Sequence, residues 1–156
     1  LGSELLGLGA SAYSWFNGYA YRNIGKFGDG TRKSLEDYMQ RIESGSLAIE
    51  SGERLNAKEQ MSRFAVFGIK TSSINRKDAG IDKGLFYERF GIPINIVFDE
   101  VLEELKRGGL IEETDNFIRL TLSGLIVAEE VAAMFYSEDV KRRLKEVGDV
   151  FGRDGL

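Results

Sequence analysis

The sequence predicts a mainly α-helical fold with one small antiparallel β-hairpin, arranged as a winged-helix-like module in the C-terminal part of the chain. Three observations predict it. Val97, Phe98, Val101, Leu102 and Leu105 recur at helical spacing behind Ile92-Pro93, where the fixed φ of proline suits a first helical turn. Two short runs, Leu110 to Glu113 and Phe117 to Leu120, are separated by Thr114-Asp115-Asn116, residues that favour a turn. A second periodic stretch runs from Leu122 to Tyr136, with Leu125, Ile126, Ala132 and Phe135 on one side and Glu129 and Glu130 on the wet side. Helix, hairpin and helix in that order form the core of a winged-helix module.

Each element follows from its residues. Leu1-Gly2-Ser3 reads as a tag remnant. Leu5 to Ala12 reads as a short buried strand running into a glycine turn. A dinucleotide fingerprint would need a third glycine opening a helix, and Gly-Leu-Gly-Ala-Ser-Ala has none. Ser14 to Asn23 packs Trp15, Phe16, Tyr19 and Tyr21 into ten residues without helical or strand period, and seven glycines fall in the first 30 positions, so this region is expected to be loop. Arg22, Lys26, Arg32 and Lys33 lie among or just after these aromatics, too sparsely for a single-stranded nucleic-acid groove. Ser34 with Asp37 has capping-box spacing and opens a helix with the stripe Leu35, Tyr38, Met39 and Ile42, stopped by Gly45.

Ser46 to Leu55 reads as an extended linker. Asn56 with Glu59 opens a helix to about Lys70, with Met61, Phe64, Ala65 and Gly68 inward. Thr71 to Gly80 is polar and carries the charge pair Arg76-Lys77. Asp82 caps a short helix with Leu85, Phe86 and Phe90 that ends at Gly91, and this helix forms a helix-turn-helix pair with the one after Pro93. Gly108-Gly109 ends the latter, and Thr121 caps the stretch from Leu122. Ser137 to Val147 is an amphipathic helix with the seam Val140, Leu144 and Val147, and Phe151 to Leu156 reads as a tail.

Composition then limits the chemistry. With 156 residues, 42% of them hydrophobic, one core and one domain are expected. Cysteine and histidine are both absent, which removes disulfides, thiolate and imidazole metal sites, cysteine nucleophiles and histidine-based triads. Chemistry confined to this chain would rest on carboxylates, Lys, Tyr or Ser. Glu112 and Glu113 are neighbours in a strand and so point to opposite faces, which gives no paired site. No catalytic residue is expected. No apolar run approaches the roughly 18 residues of a membrane span, and a cytoplasmic protein without a membrane partner is the expectation. From Pro93 to Leu120 seven acids face three bases, a balance of −4, so a helix here would be repelled by duplex phosphate and no nucleic-acid partner is expected.

Several segments occur together in a telling order: Gly7-Leu8-Gly9-Ala10-Ser11-Ala12-Tyr13-Ser14, Asn23, Leu35 to Tyr38 followed by Glu43-Ser44-Gly45, Glu53-Arg54-Leu55, Phe90-Gly91-Ile92, Gly108 to Ile111, and Leu120 to Leu125. On these the chain resembles the C-terminal portion of the oxygen-independent coproporphyrinogen III oxidase family, the radical S-adenosylmethionine group that also includes haem chaperones. The resemblance implies that residues 1–33 are the last strand of a partial (β/α) barrel and an aromatic connecting segment, that 34–150 form a helical winged-helix-like accessory domain helping to cover the active site, and that 151–156 are a tail. In the family the barrel holds a [4Fe-4S] cluster on three cysteines. Those are missing here, so S-adenosylmethionine and the cluster are expected in the full-length protein and not in this chain alone.

Gly7, Gly9, Ser11, Ala12 and Tyr13 match the family's strand-end motif near the cofactor pocket. Tyr13 stands where the chaperone branch has His and the oxidase branch an apolar residue, and so matches neither. Trp15, Phe16, Tyr19 and Tyr21, expected to be exposed, are implied contacts for the missing N-terminal barrel or for a flat porphyrin or haem. The alternative is a winged-helix protein-interaction module whose acidic face, with Glu103 and Glu104, is the contact surface.

Overall fold

The structure is a computed structural model that describes residues 4–26, 28, 30–73, 75–76 and 78–151, the last helix with side chains as far as Glu146. Residues 1–3, read above as a tag remnant, Lys77, the Val147 side chain and the residues beyond Phe151 lie outside the described residues. The fold is mainly helical with two small antiparallel sheets. Instead of the single domain expected from length, the chain forms two compact units, the first ending at Asn56 and the second starting at Ala57.

The first unit is built on β1 (Tyr13–Phe16), β2 (Tyr19–Asn23) and β3 (Ile49–Arg54), antiparallel in that order. This corrects the expected aromatic loop. Asn17 and Gly18 both take positive φ, 50° and 78°, which a two-residue turn matched to strand twist requires. The burial pattern of β1, with Ser14 and Trp15 both inside and Tyr13 and Phe16 both outside, breaks the period of two and hides the strand from periodicity. The linker expected over Ser46 to Leu55 contains β3, paired with β2 from Tyr19↔Arg54 to Asn23↔Ile49. Its residues after Ile49 are all exposed, so there is no inward row to read.

Two further expectations change in this unit. Leu5 to Ala12 is not a buried strand: Leu5 alone bridges Trp15, with both backbone bonds at 2.7 Å, and Leu5, Leu6 and Leu8 are exposed. The helix α1 spans Thr31–Glu43 and begins behind a left-handed Gly30, not at a Ser34 cap. The Ser34 hydroxyl instead accepts from Lys26 N at 3.0 Å and donates to Thr31 O at 2.9 Å. None of the residues of α1 is buried.

The second unit contains α2 (Ala57–Lys70), β4 (Ile81–Asp82), α3 (Lys83–Phe90), α4 (Ile94–Val97), α5 (Asp99–Arg107), β5 (Ile111–Glu113), β6 (Phe117–Leu120), α6 (Leu122–Ile126), α7 (Ala128–Met134) and α8 (Glu138–Phe151). Local chemistry sets many of these boundaries. Asp82 accepts from Leu85 N at 2.9 Å and Thr121 from Gly124 N at 3.1 Å, each satisfying a backbone donor that the first helical turn leaves unpaired. The expected hairpin is present. To it β4 adds a third strand through Ile81↔Ile118, giving the order β4-β6-β5.

The two long helices expected here are each broken in two. Phe98 (φ −120°, ψ 32°) separates α4 from α5, and Val127 (φ −117°, ψ 38°) separates α6 from α7. Pro93 is the residue before α4, with ψ 141°, and not in its first turn. The Phe98 ring meets Phe86 at 6.4 Å and Phe135 at 5.3 Å, and Phe64 and Phe90 extend this row of rings through the core. Ile69, Ile81, Ile94, Leu102, Leu105 and Ile118 fill the space around them.

Candidate functional site

The glycine loop of the first unit carries the sequence-derived cofactor residues Gly7, Gly9, Ser11, Ala12 and Tyr13, and the structure shows how it is fastened. Gly9 and Ser11 take positive φ, 101° and 62°. Such a backbone persists only where its surroundings fix it. Gly7 N donates to the buried Ser14 hydroxyl at 3.0 Å, Gly9 N to the Tyr38 hydroxyl on α1 at 3.2 Å, and Ser11 N to Ile24 O at 3.1 Å. From the end of β2, Asn23 Nδ2 donates to Gly7 O at 3.2 Å and to Gly9 O at 2.9 Å, while Asn23 N donates to Ala12 O at 2.9 Å. Gly25 closes the back of the loop, since a Cβ there would stand 2.0 Å from Ser11 Oγ.

Asn23 entered the sequence reading only as a carrier of the family resemblance and Tyr38 only as a stripe residue. Their role as fasteners has no local signal, because the partners lie 14 to 16 and 29 residues away.

Tyr13 is 65% exposed beside Arg22. Hydrogen bonding to Tyr13 first, and the charge of Glu50 second, hold the Arg22 guanidinium above its ordinary pKa. Of the four aromatics, Trp15 is buried at 4%, which corrects its expected exposure, and Tyr21 is half-buried. Phe16 and Tyr19 face each other across the strands beside the turn and are 44% and 47% exposed. Strand pairing thus brings two of the four together at the surface.

The donor set does not fit an iron-sulfur cluster, since the chain has no cysteine and, among the described residues, no group of three His, Cys, Asp or Glu side chains comes together. The loop is open to its surroundings at one point. A Cβ built on Gly9 would meet no atom within 4 Å, so that side of its backbone is uncovered.

The second unit holds two further features. Glu113 is gripped by Lys106 at 2.6 Å, Lys83 at 2.8 Å and Asn95 at 3.0 Å. Burial alone would raise its pKa, but hydrogen bonds from Asn95, Lys106 and Lys83 outweigh it and bring the carboxyl down to about 2. Lys106 is raised in turn, chiefly by its bond to Glu113. Glu112, one residue earlier, is exposed and pairs with Arg119 on the opposite face, so the two carboxylates are separated as strand geometry predicts. The cluster clamps β5 to the start of α3, to α4 and to α5, and keeps the Glu113 carboxylate ionised at neutral pH. Elsewhere in the unit, α5, α7 and α8 frame a groove of about 540 Å³ lined by Val101, Met134, Tyr136 and Leu144 together with Glu100 and Glu104.

The HemN C-terminal domain family matches residues 55–127. The heme chaperone HemW of Bacillus subtilis (strain 168) is 25% identical over 135 residues, covering 86% of this chain and 32% of that protein. Among solved structures, coproporphyrinogen III oxidase (HemN) from Escherichia coli, described as a radical SAM enzyme, superposes with a TM-score of 0.54 at 19% identity, over 86% of this chain and 29% of that one. At that identity the shared property is the fold. The chain spans about a third of the length of these relatives.

Proposed function

We propose that this chain, which is similar to the C-terminal portion of the HemN/HemW radical S-adenosylmethionine family, is the accessory, substrate-covering or docking part of such a protein in haem metabolism. In this reading the cluster and S-adenosylmethionine belong to an N-terminal barrel of the full-length protein, which is this chain's partner. One observation carries the reading. Leu35, Met39 and Ile42, at helical spacing on α1, are 45%, 57% and 52% exposed, and Leu5, Leu6 and Leu8 are exposed as well. Apolar surface of that extent in so small a unit marks an interaction face. In this reading residues 1–33 continue the barrel, Gly7, Gly9, Ser11, Ala12 and Tyr13 line its cofactor pocket, and Phe16 and Tyr19 contact the barrel or a porphyrin or haem. A cytoplasmic location belongs to the same proposal.

The order α2, β4, α3, α5, β5, β6 with the sheet order β4-β6-β5 supports the winged-helix description of the second unit. When the upstream part and this chain are produced as separate polypeptides, they should copurify, and the double substitution Leu35→Glu, Met39→Glu should abolish copurification. Copurification untouched by that pair would remove the docking role of α1. Titration with haem or coproporphyrin, followed by absorbance, tests the macrocycle contact; an unshifted spectrum would exclude it.

A second reading is favoured by α5, where Asp99, Glu100, Glu103 and Glu104 are all exposed. It makes this acidic face the contact surface for a basic protein partner. Crosslinking lost on Glu103→Lys and Glu104→Lys would support it, and crosslinking that persists would count against it.

A further inference from the structure

We propose that Asn23 is a positioning residue that sets the shape of the glycine loop for S-adenosylmethionine, with Tyr38 holding the same loop from α1. The inference rests on the reading above that the loop lines the cofactor pocket of the full-length protein.

The geometry is specific to a carboxamide. A single nitrogen, Asn23 Nδ2, reaches two carbonyls that are two residues apart, Gly7 O and Gly9 O. An NH₂ group has two donor hydrogens and no charge, so it satisfies both acceptors at once. Aspartate at this position would set lone pairs against carbonyl oxygens, and serine would offer one donor. The Asn23 main chain meanwhile donates to Ala12 O, so one residue grips the loop from Gly7 to Ala12. Glycine has the most conformational freedom to lose on ordering, and Ser11 has a φ of 62° that a side chain resists. Asn23 removes that freedom before any ligand arrives, which lowers the entropic cost of binding. Because two of the loop carbonyls are turned to Asn23, they are withdrawn from the ligand side. What the loop presents outward is the open backbone at Gly9 and the Leu8 side chain, 93% exposed. Tyr38 adds a second fixed point at Gly9 N, on the same residue.

The test compares Asn23→Asp, Asn23→Ser and Tyr38→Phe. In this chain, amide hydrogen exchange of Gly9 and Ser11 should accelerate about tenfold in the Asn23 variants, and at Gly9 alone in Tyr38→Phe, the scale of one lost hydrogen bond. In the full-length protein, S-adenosylmethionine binding measured by equilibrium dialysis should weaken about tenfold with the iron and sulfide content unchanged. Exchange at the wild-type rate would overturn the positioning role and leave the cofactor-pocket reading standing. Faster exchange with unchanged S-adenosylmethionine affinity would overturn the proposal from the other side, by showing that the loop does not face the cofactor. Should Asn23→Asp fail to fold, Tyr38→Phe, which removes one hydroxyl, decides by the same two measurements.

Discussion

The two compact units of this chain solve the burial problem differently. Beyond Ala57, Phe64, Ile69, Phe86, Leu102, Leu105 and Phe135 are among the side chains driven to near-zero exposure, and rings in contact run through the core. Before Asn56 the buried apolar side chains, among the described residues, are Trp15 and Ala48. Its order comes from backbone pairing in β1, β2 and β3 and from the polar ties of the glycine loop. A hydrogen bond exchanged for water nets about 1 kcal/mol, whereas a fully buried large apolar side chain contributes about 1.5–3 kcal/mol. The second unit therefore rests mainly on its apolar core, and the first on backbone pairing and polar ties.

That contrast can be broken in several ways. The largest effect is expected from Phe86→Ala, which removes the ring between Phe64, Phe90 and Phe98 and should cost about 3–5 kcal/mol in a urea melt; a loss under about 1 kcal/mol would deny that the rings carry the unit. Next comes Glu113→Gln. Its carboxyl has a folded pKa of about 2 against an ordinary 4.5, so its contribution is complete above pH 4.5 and is lost as pH falls toward 2. With solvent partly screening the lysines, the substitution should cost about 1–2 kcal/mol at pH 7 and flatten the acid limb of stability between those pH values. An acid limb identical to wild type would place the titrating group elsewhere.

Smaller is Gly18→Val, which puts a β-branched residue at φ 78° in the β1–β2 turn and should cost about 1–2 kcal/mol, read as faster amide exchange across β1 and β2. Leu35→Ser should do least. In this chain it should stay within about 0.5 kcal/mol of wild type, because the side chain is already half exposed. A large loss there would show that α1 is covered without any partner and would erase the difference between the units.

Legibility followed the same division. In the second unit, Asp82 and Thr121 as caps, Gly91 and Gly108-Gly109 as stops, and the hairpin around Thr114 were all readable, because each rests on chemistry within a few residues. In the first, the turn signal Asn17-Gly18 stood in plain view between aromatics, but neither flanking strand alternates, and β3 has no inward row. Of the candidate site, the glycine motif was legible as a motif, while Asn23, Tyr38 and Ser14 as its fasteners were not.

By itself, then, the sequence determined the absence of thiol and imidazole chemistry in this chain, the positions of caps and turns and the amphipathic helices. These depend on residue type or on spacings shorter than two helical turns. Tertiary structure alone decided that Phe98 and Val127 break their helices, that β3 closes a sheet with β2, that Trp15 turns inward while Phe16 and Tyr19 stay out, and that one asparagine ties down a loop 14 to 16 residues away. Each of those depends on contacts between segments distant in the chain, where packing and hydrogen-bond satisfaction outweigh the fraction of a kcal/mol that local propensity supplies.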